Sequence, residues 1–521
     1  MKAALCAVGV LMAVLSGSGA PAPPVAPFER FGGWTAPSPI DDCVAAVLKE
    51  RGIERANPCS DEVFIRRVYV DAIGTLPEPA AVWRFLSDNR PDRRAALIDS
   101  LLEREEFADY WAMKWCDVLR VKSEFPINLW PNAVQAYHRW VHDAIRTNMP
   151  YDQFARELLT SSGSSFRVPP VNFYRAIQGR QPADIAHAVA LTFMGTRLET
   201  WPKADQANIA AFFSRIAYKK TDEWKEEIVL LDPAPAEPLD AVLPDGTAVR
   251  IQPDQDPRHV FADRLVAKGS PWFGRSVVNR VWAWLMGRGI IHEPDDIRPD
   301  NPAANPELLA YLERELVDAG YDLRQLYRLI LNSRTYQQSS IPQSEDPEAE
   351  PLFAYYPTRR LEAEVLTDAL CWIGGDSVSY TSPIPEPFTY TPDFVRSISL
   401  ADGSITSAFL DMFGRPARDT GLMSERNDAP TDAQRRYLLN STDVQRRIEG
   451  SQRLRNVAFT ARANRRSLVS GLYVTILSRP PTPAEAATAE SYLQTGRLNP
   501  RQAVSDLAWA LINTKEFLYR H

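Results

Sequence analysis

The 521-residue sequence predicts a mainly α-helical protein: two helical domains joined by a proline-rich linker that carries a small β-hairpin. Apolar residues recur at intervals of three and four through most of the chain, and Pro, Gly, Asn and Asp punctuate those runs where helices start and stop. A helical unit also recurs near both ends, as repeated scaffolds do.

The first element is MKAALCAVGVLMAVLSGSGAPAPP, with one lysine, an apolar run from Ala3 to Leu15 and then small residues. This pattern predicts a secretory signal over residues 1–20, cleaved between Ser18 and Ala22. The run falls short of the roughly 20 apolar residues that a membrane span needs. The expected product is exported, periplasmic or extracellular, with no membrane span after signal removal.

The first domain, residues 36–220, shows helical periodicity in FIRRVYVDAI, RAALIDSLL, QAYHRWVHDAI and DQFARELLTS. The linker, residues 221–256, is proline-rich, contains the apolar run IVLL, and predicts a hairpin around Pro-Asp-Gly in LDAVLPDGTAVRI. In the second domain, residues 257–521, Ser270 is placed as an N-cap, Pro271 at the first helical position and Gly287 at the stop. Phe273, Val277, Val281 and Leu285 then share one face of that helix, while Arg275, Ser276, Asn279 and Arg280 share the other. A second helix is expected from Asn305-Pro306-Glu307 to near Gly320, and a third from Asp322, with Gln325 completing a capping box. Residues 374–406 are rich in Ser, Thr, Pro and aromatics without a period, which predicts a long loop acting as a lid, a partner surface or a structural wrap. Helices resume from Asp432.

The three-helix unit from Phe64 to Phe107 is repeated from Leu468 to Phe517. Tyr69 corresponds to Tyr473, Pro77 and Pro79 to Pro481 and Pro483, Leu101 to Leu511, and Phe107 to Phe517. The tail ILNSRTY, ending at Tyr336, resembles a partial third copy.

A formal net charge of −7, with no block of basic residues, excludes a general electrostatic attraction for nucleic acid. Removal of the signal leaves Cys43, Cys59, Cys116 and Cys371, with no C-x-x-C spacing for a local zinc or haem site. Cys43 and Cys59 flank a short helix and a return loop; they are either bridged, which would contribute roughly 3 kcal/mol, or two separate thiols. No metal and no cofactor are expected.

Motifs that carry chemistry are sparse. His138 and His142 stand at i and i+4, either as metal ligands or as a helix surface, and no H-E-x-x-H context favours the metal. Ser161 to Ser165 lacks the G-x-S-x-G elbow, and no phosphate-cradling glycine motif occurs. Asp295, Asp296 and Asp300, beside Arg298 and Asn301, could bind calcium or act as acid and base on a glycan. The competing explanation is that they cap helices and pair with arginines such as Arg280 or Arg288. Arg275, Asn279, Arg280, Arg298 and Asn301 are the binding candidates; Arg67 and Asp71, one turn apart, predict an intrahelical pair. The aromatics of YWAMKWCDVL and VWAWL could stack on sugars but sit at core spacing.

The segments FIRRVYVDAIGTLPEP, FADYWAMKWCDVLR, MPYDQFARELL, NRVWAWLMGRGI, NPELLAYLERELVDAGYDLRQL, SRTYQQSS and LSRPPTPAE resemble the two linked domains of unknown function found in large exported planctomycete cytochrome-associated proteins. The likeness covers almost all of the mature chain. It implies relatives with a C-x-x-C-H segment between stretches that correspond to Phe193–Arg197 and Ala210–Phe213. Here LETWPKADQANI fills that interval with no cysteine or histidine. A second cysteine-containing segment in relatives corresponds to RDTGLMSERNDAP, where Gly421 to Arg426 contains no cysteine. A haem or thiolate role is therefore not carried over. The expectation is an exported binding or scaffold protein in surface or polysaccharide metabolism, whose partner is a polysaccharide or another exported protein. The alternative is a glycan-acting hydrolase or lyase using the carboxylates of residues 295–301.

Overall fold

Helix Asp61–Ile73 forms because Ser60 accepts the Val63 amide at its start, while Gly74, at φ +59, ends it in the left-handed region. Every residue from Val63 to Ile73 is buried, so the helix runs through the core rather than over it. The computed structural model describes residues 25–30, 32, 34–234, 237–386, 388–392, 394–461, 464–494 and 500–521, and the signal predicted over 1–20 lies outside them.

Helices dominate the described residues, and sheets are small. The first half supplies Pro39–Arg51, Asp61–Ile73, Pro79–Leu86, Arg93–Leu102, Glu105–Val118, Pro131–Arg146 and Tyr151–Thr160. The IVLL run becomes the central strand Glu227–Leu231, paired antiparallel with Ile216–Lys220 and with Gly163–Ser164. The expected hairpin forms from Leu239–Val242 and Ala248–Ile251, with Gly246 at φ +84 in its turn. None of the described helices is long and apolar enough to cross a membrane.

The apolar core is continuous across both halves. Trp111 packs on Tyr327 at 4.2 Å, and Trp115 meets Trp284 edge-on at 5.4 Å. The aromatics of YWAMKWCDVL and VWAWL are therefore core, and each large apolar side chain so buried contributes about 1.5–3 kcal/mol.

Two local expectations shift. The helix predicted from Ser270 and Pro271 begins at Phe273, because Trp272 packs at a tilt on Trp201 at 5.0 Å and the ring of Phe273 stacks on Tyr151. Its stop at Gly287, φ +77, is as expected. Arg67 and Asp71 do not pair with each other: Arg67 donates to the carbonyls of Tyr336, Gln338 and His521, while Asp71 accepts from the hydroxyls of Tyr336 and Tyr356 and pairs with Arg520 at 3.1 Å.

Cys43 and Cys59 are both free thiols. Cys59 is held in a bridge to Glu29, its amide bonded to the Gln337 carbonyl, whereas Cys43 lies on helix Pro39–Arg51, its carbonyl accepting from Asn305. Their backbones are fixed by different parts of the fold, so the bridge considered from sequence does not form.

The repeat has a structural use. Arg66 donates to the carbonyls of Ile476 and Phe517, and Arg67, next to it, to those of Tyr336 and Gln338. Two adjacent arginines of the first copy thus hold the aromatic-anchored ends of the other two. The loop 374–406 is tied rather than loose: Thr381 and Thr406 pair across it, Asp368 accepts the amides of Ser397 and Ile398, and Asp402 accepts that of Ser123.

Candidate functional site

The acidic loop after helix Phe273–Met286 is where the sequence placed its catalytic and binding candidates. Nearly the whole helix is buried, its polar face included. Arg280, fully buried, donates to Asp295 at 2.9 Å and to the carbonyls of Thr192 and Leu191. Asp295, 2% exposed, uses its other oxygen to accept the Met423 amide at 2.6 Å. Asn279 both donates to and accepts from the backbone of Ile291, at 2.9 and 2.8 Å, as a strand partner would. These residues form a strut between the first half, the acidic loop and the Asp419–Glu425 segment.

The remaining candidates point elsewhere. Arg275 pairs with Glu313 at 2.9 Å; Arg298 lies between Asp296 and Asp300 at 3.2 and 3.5 Å; Asn301 donates to the Asp296 carbonyl. Arg275, Arg298 and Asn301 line a shallow groove of about 320 Å³ with Trp272, Pro299 and Pro302, and the three aspartates are not among its lining residues. The structure thus does not bring Asp295, Asp296 and Asp300 together around one cavity with the binding candidates.

The histidine pair does not converge either. The rings of His138 and His142 lie nearly parallel, 6.3 Å apart. Burial pushes His138 down to about 3, while a hydrogen bond to Asp109 raises His142. No group of three His, Cys, Asp or Glu suited to a metal ion occurs among the described residues.

A second cleft, of about 310 Å³, is lined in part by Asp419, Thr420 and Leu422 of the Asp419–Glu425 segment. Its wall includes Arg120, Gln178, Asp184, His187, Arg197, Glu199, Asp419 and Leu422. Arg120 follows helix Glu105–Val118 at φ +57, in the position past a helix end where glycine is usual. The Arg120 amide bonds to the Asp117 carbonyl and that of Val121 to Cys116, respectively the five-to-two and six-to-one closure of a helix C-terminus. A left-handed arginine costs about 1–2 kcal/mol over glycine, so the side chain has a reason to be there. It donates from Nε to the Thr420 carbonyl at 3.0 Å, 4% exposed, with no partner for Nη1. Burial lowers its pKa to about 10, partly offset by Tyr137 and Glu425. Gly421, at φ +77, makes this approach possible: a Cβ there would meet the Val118 carbonyl at 2.7 Å and the Arg120 guanidinium at 3.0 Å.

Most acids around this cleft are already engaged. Asp419 pairs with Lys122 at 2.6 Å, Asp184 accepts the Gln181 amide, and Glu425 accepts the amides of Asp419 and Thr420. His187 faces Gln206 at 3.4 Å, and Arg197 pairs with Glu293 at 3.7 Å.

Two family models match the chain in series. Residues 39–218 match PSCyt2, a protein of unknown function (DUF1549), and residues 257–493 match PSD1, a protein of unknown function (DUF1553). The chain carries the linked pair of a PSCyt2 domain followed by a PSD1 domain. Comparison with curated proteins and with solved structures returned no match. In this PSCyt2–PSD1 chain, the two segments whose counterparts the resemblance marks as cysteine-bearing both reach the Arg120 cleft, through Glu199 on one hand and Asp419, Thr420 and Leu422 on the other. They are far apart in sequence and adjacent in space. Sequence reasoning missed Arg120 itself; the one signal was an arginine rather than a glycine where the VLRVK stretch leaves its helix.

Proposed function

We propose that this is an exported, non-catalytic binding or scaffold protein serving surface or polysaccharide metabolism. The observation that supports it is the commitment of the nominated catalytic carboxylates to structure: Asp295 is buried against Arg280, and Asp296 and Asp300 pair with Arg298 without lining the neighbouring groove themselves. A general acid and base need a shared substrate-sized space, and these carboxylates do not line one. The reading places the signal peptide's removal before function and expects a polysaccharide, or another exported protein, as partner. No haem is involved, so purified protein should lack a Soret band.

The test is a glycan array probed with the mature chain, followed by incubation of any retained polysaccharide and analysis of its length. Retention without shortening is the expected result. Shortening that disappears in Asp296→Asn or Asp300→Asn would overturn the reading in favour of a hydrolase or lyase working from the acidic loop.

A further inference from the structure

A guanidinium taken out of water must recover its hydration from fixed acceptors. The buried arginines of this chain do so in two ways. Arg280, Arg418 and Arg520, for example, each pair with a carboxylate. Where no carboxylate is paired, acceptors are plural: Arg66, Arg67 and Arg360 each have three, and Arg215 has four carbonyls. Arg120 follows neither pattern. It makes a single hydrogen bond, to the Thr420 carbonyl, and stands in the wall of a solvent-facing cleft, with Nη1 unpartnered as one nitrogen each of Arg67, Arg280, Arg360 and Arg520 also is. The chain accepts a left-handed backbone at Arg120 and a glycine at 421 to hold it there.

We propose that this cleft is an anion-binding site in which Arg120, with Arg197 at the rim, receives the single negative charge of an acidic sugar, a carboxylate or a sulfate ester. The guanidinium fork matches both oxyanions through paired N–H donors. The cleft, at about 310 Å³, is at the lower end of small-molecule sites. Selection for one charge follows from Asp184, Glu199 and Asp419 in the same wall, which penalise a dianion such as phosphate. The proposal rests on the binding-protein reading above and gives its ligand class.

The test is calorimetric titration of the full mature chain with glucuronate, glucose 6-sulfate, inorganic phosphate and glucose. At least one charged sugar binds, and the two arms tell carboxylate from sulfate; glucose and phosphate bind at least tenfold more weakly. Arg120→Gln lowers the affinity at least tenfold, Arg120→Lys less, and Arg197→Gln a few-fold, with melting temperature recorded for each. Should Arg120→Gln fail to fold, Gln178→Trp, an exposed substitution at the mouth, abolishes binding instead. The proposal is overturned if neither charged sugar binds, if glucose or phosphate binds equally well, or if Arg197→Gln and Gln178→Trp leave affinity unchanged. An array on which neutral glycans are retained and Gln178→Trp has no effect would keep the binding-protein reading and remove this site from it.

Discussion

Arg280 and Arg120 act on the same short segment, residues 419–425, and they spend their charge differently. Arg280 is closed on itself through Asp295, which in turn holds the Met423 amide. Arg120 reaches the Thr420 carbonyl, and its Nη1 has no partner. A buried charge that is matched inside the fold fixes one element on another. One that is under-matched at a cleft wall lowers the cost of taking a ligand of opposite sign. Charge alone therefore did not distinguish the structural arginine from the binding one; the acceptor count did.

The largest expected effect tests the closed side. Arg280→Ala leaves Asp295 buried and unpaired and should cost about 3–5 kcal/mol, read from urea midpoints. A loss below about 1 kcal/mol, the value of an exposed pair, would remove the distinction. Next comes the matched charge beneath the loop. Burial pushes the Glu364 carboxyl up, but Arg426 at 2.6 Å and Arg415 at 3.5 Å hold it down to about 2. Because the folded value lies below the unfolded one of about 4.3, this stabilisation is fully present above pH ~4.3 and is lost as pH falls toward 2. It amounts to roughly 3 kcal/mol. Glu364→Gln should flatten the acid limb of a stability–pH curve, and an unchanged limb would mean that the arginines are not compensated there. The smallest effect belongs to the under-matched side. Arg120→Met loses one hydrogen bond but also a buried charge, so its cost should stay below about 1.5 kcal/mol. A cost equal to that of Arg280→Ala would erase the comparison.

What the sequence could read was local. The hairpin at Pro-Asp-Gly, the caps at Asn305 and Asp322 and the stop at Gly287 depend on neighbours within a few residues, and they occur where expected. The Ser270 start failed because Trp272 answers to Trp201, a tertiary partner. Arg67 and Asp71 have helix-compatible spacing, yet Arg67 bonds to Tyr336, 269 residues away. The site followed the same rule. Asp295 and Arg280 were nominated for chemistry because their types fit it, and only their shared burial shows the strut. Arg120 escaped notice because its acceptor is 300 residues distant and its cleft is made by segments from both halves.

The grip of Arg66 and Arg67 on the other two copies of the repeat sets an order of events in synthesis. Arg66 finds the Ile476 carbonyl 410 residues later, so a ribosome that has released helix Asp61–Ile73 has made neither of the ends that helix will hold. Until then the nascent chain carries two cationic side chains with no acceptor and an apolar surface with nothing against it. A fragment ending before Tyr336 should need a holding partner to stay in solution, and the fold should close late and all at once.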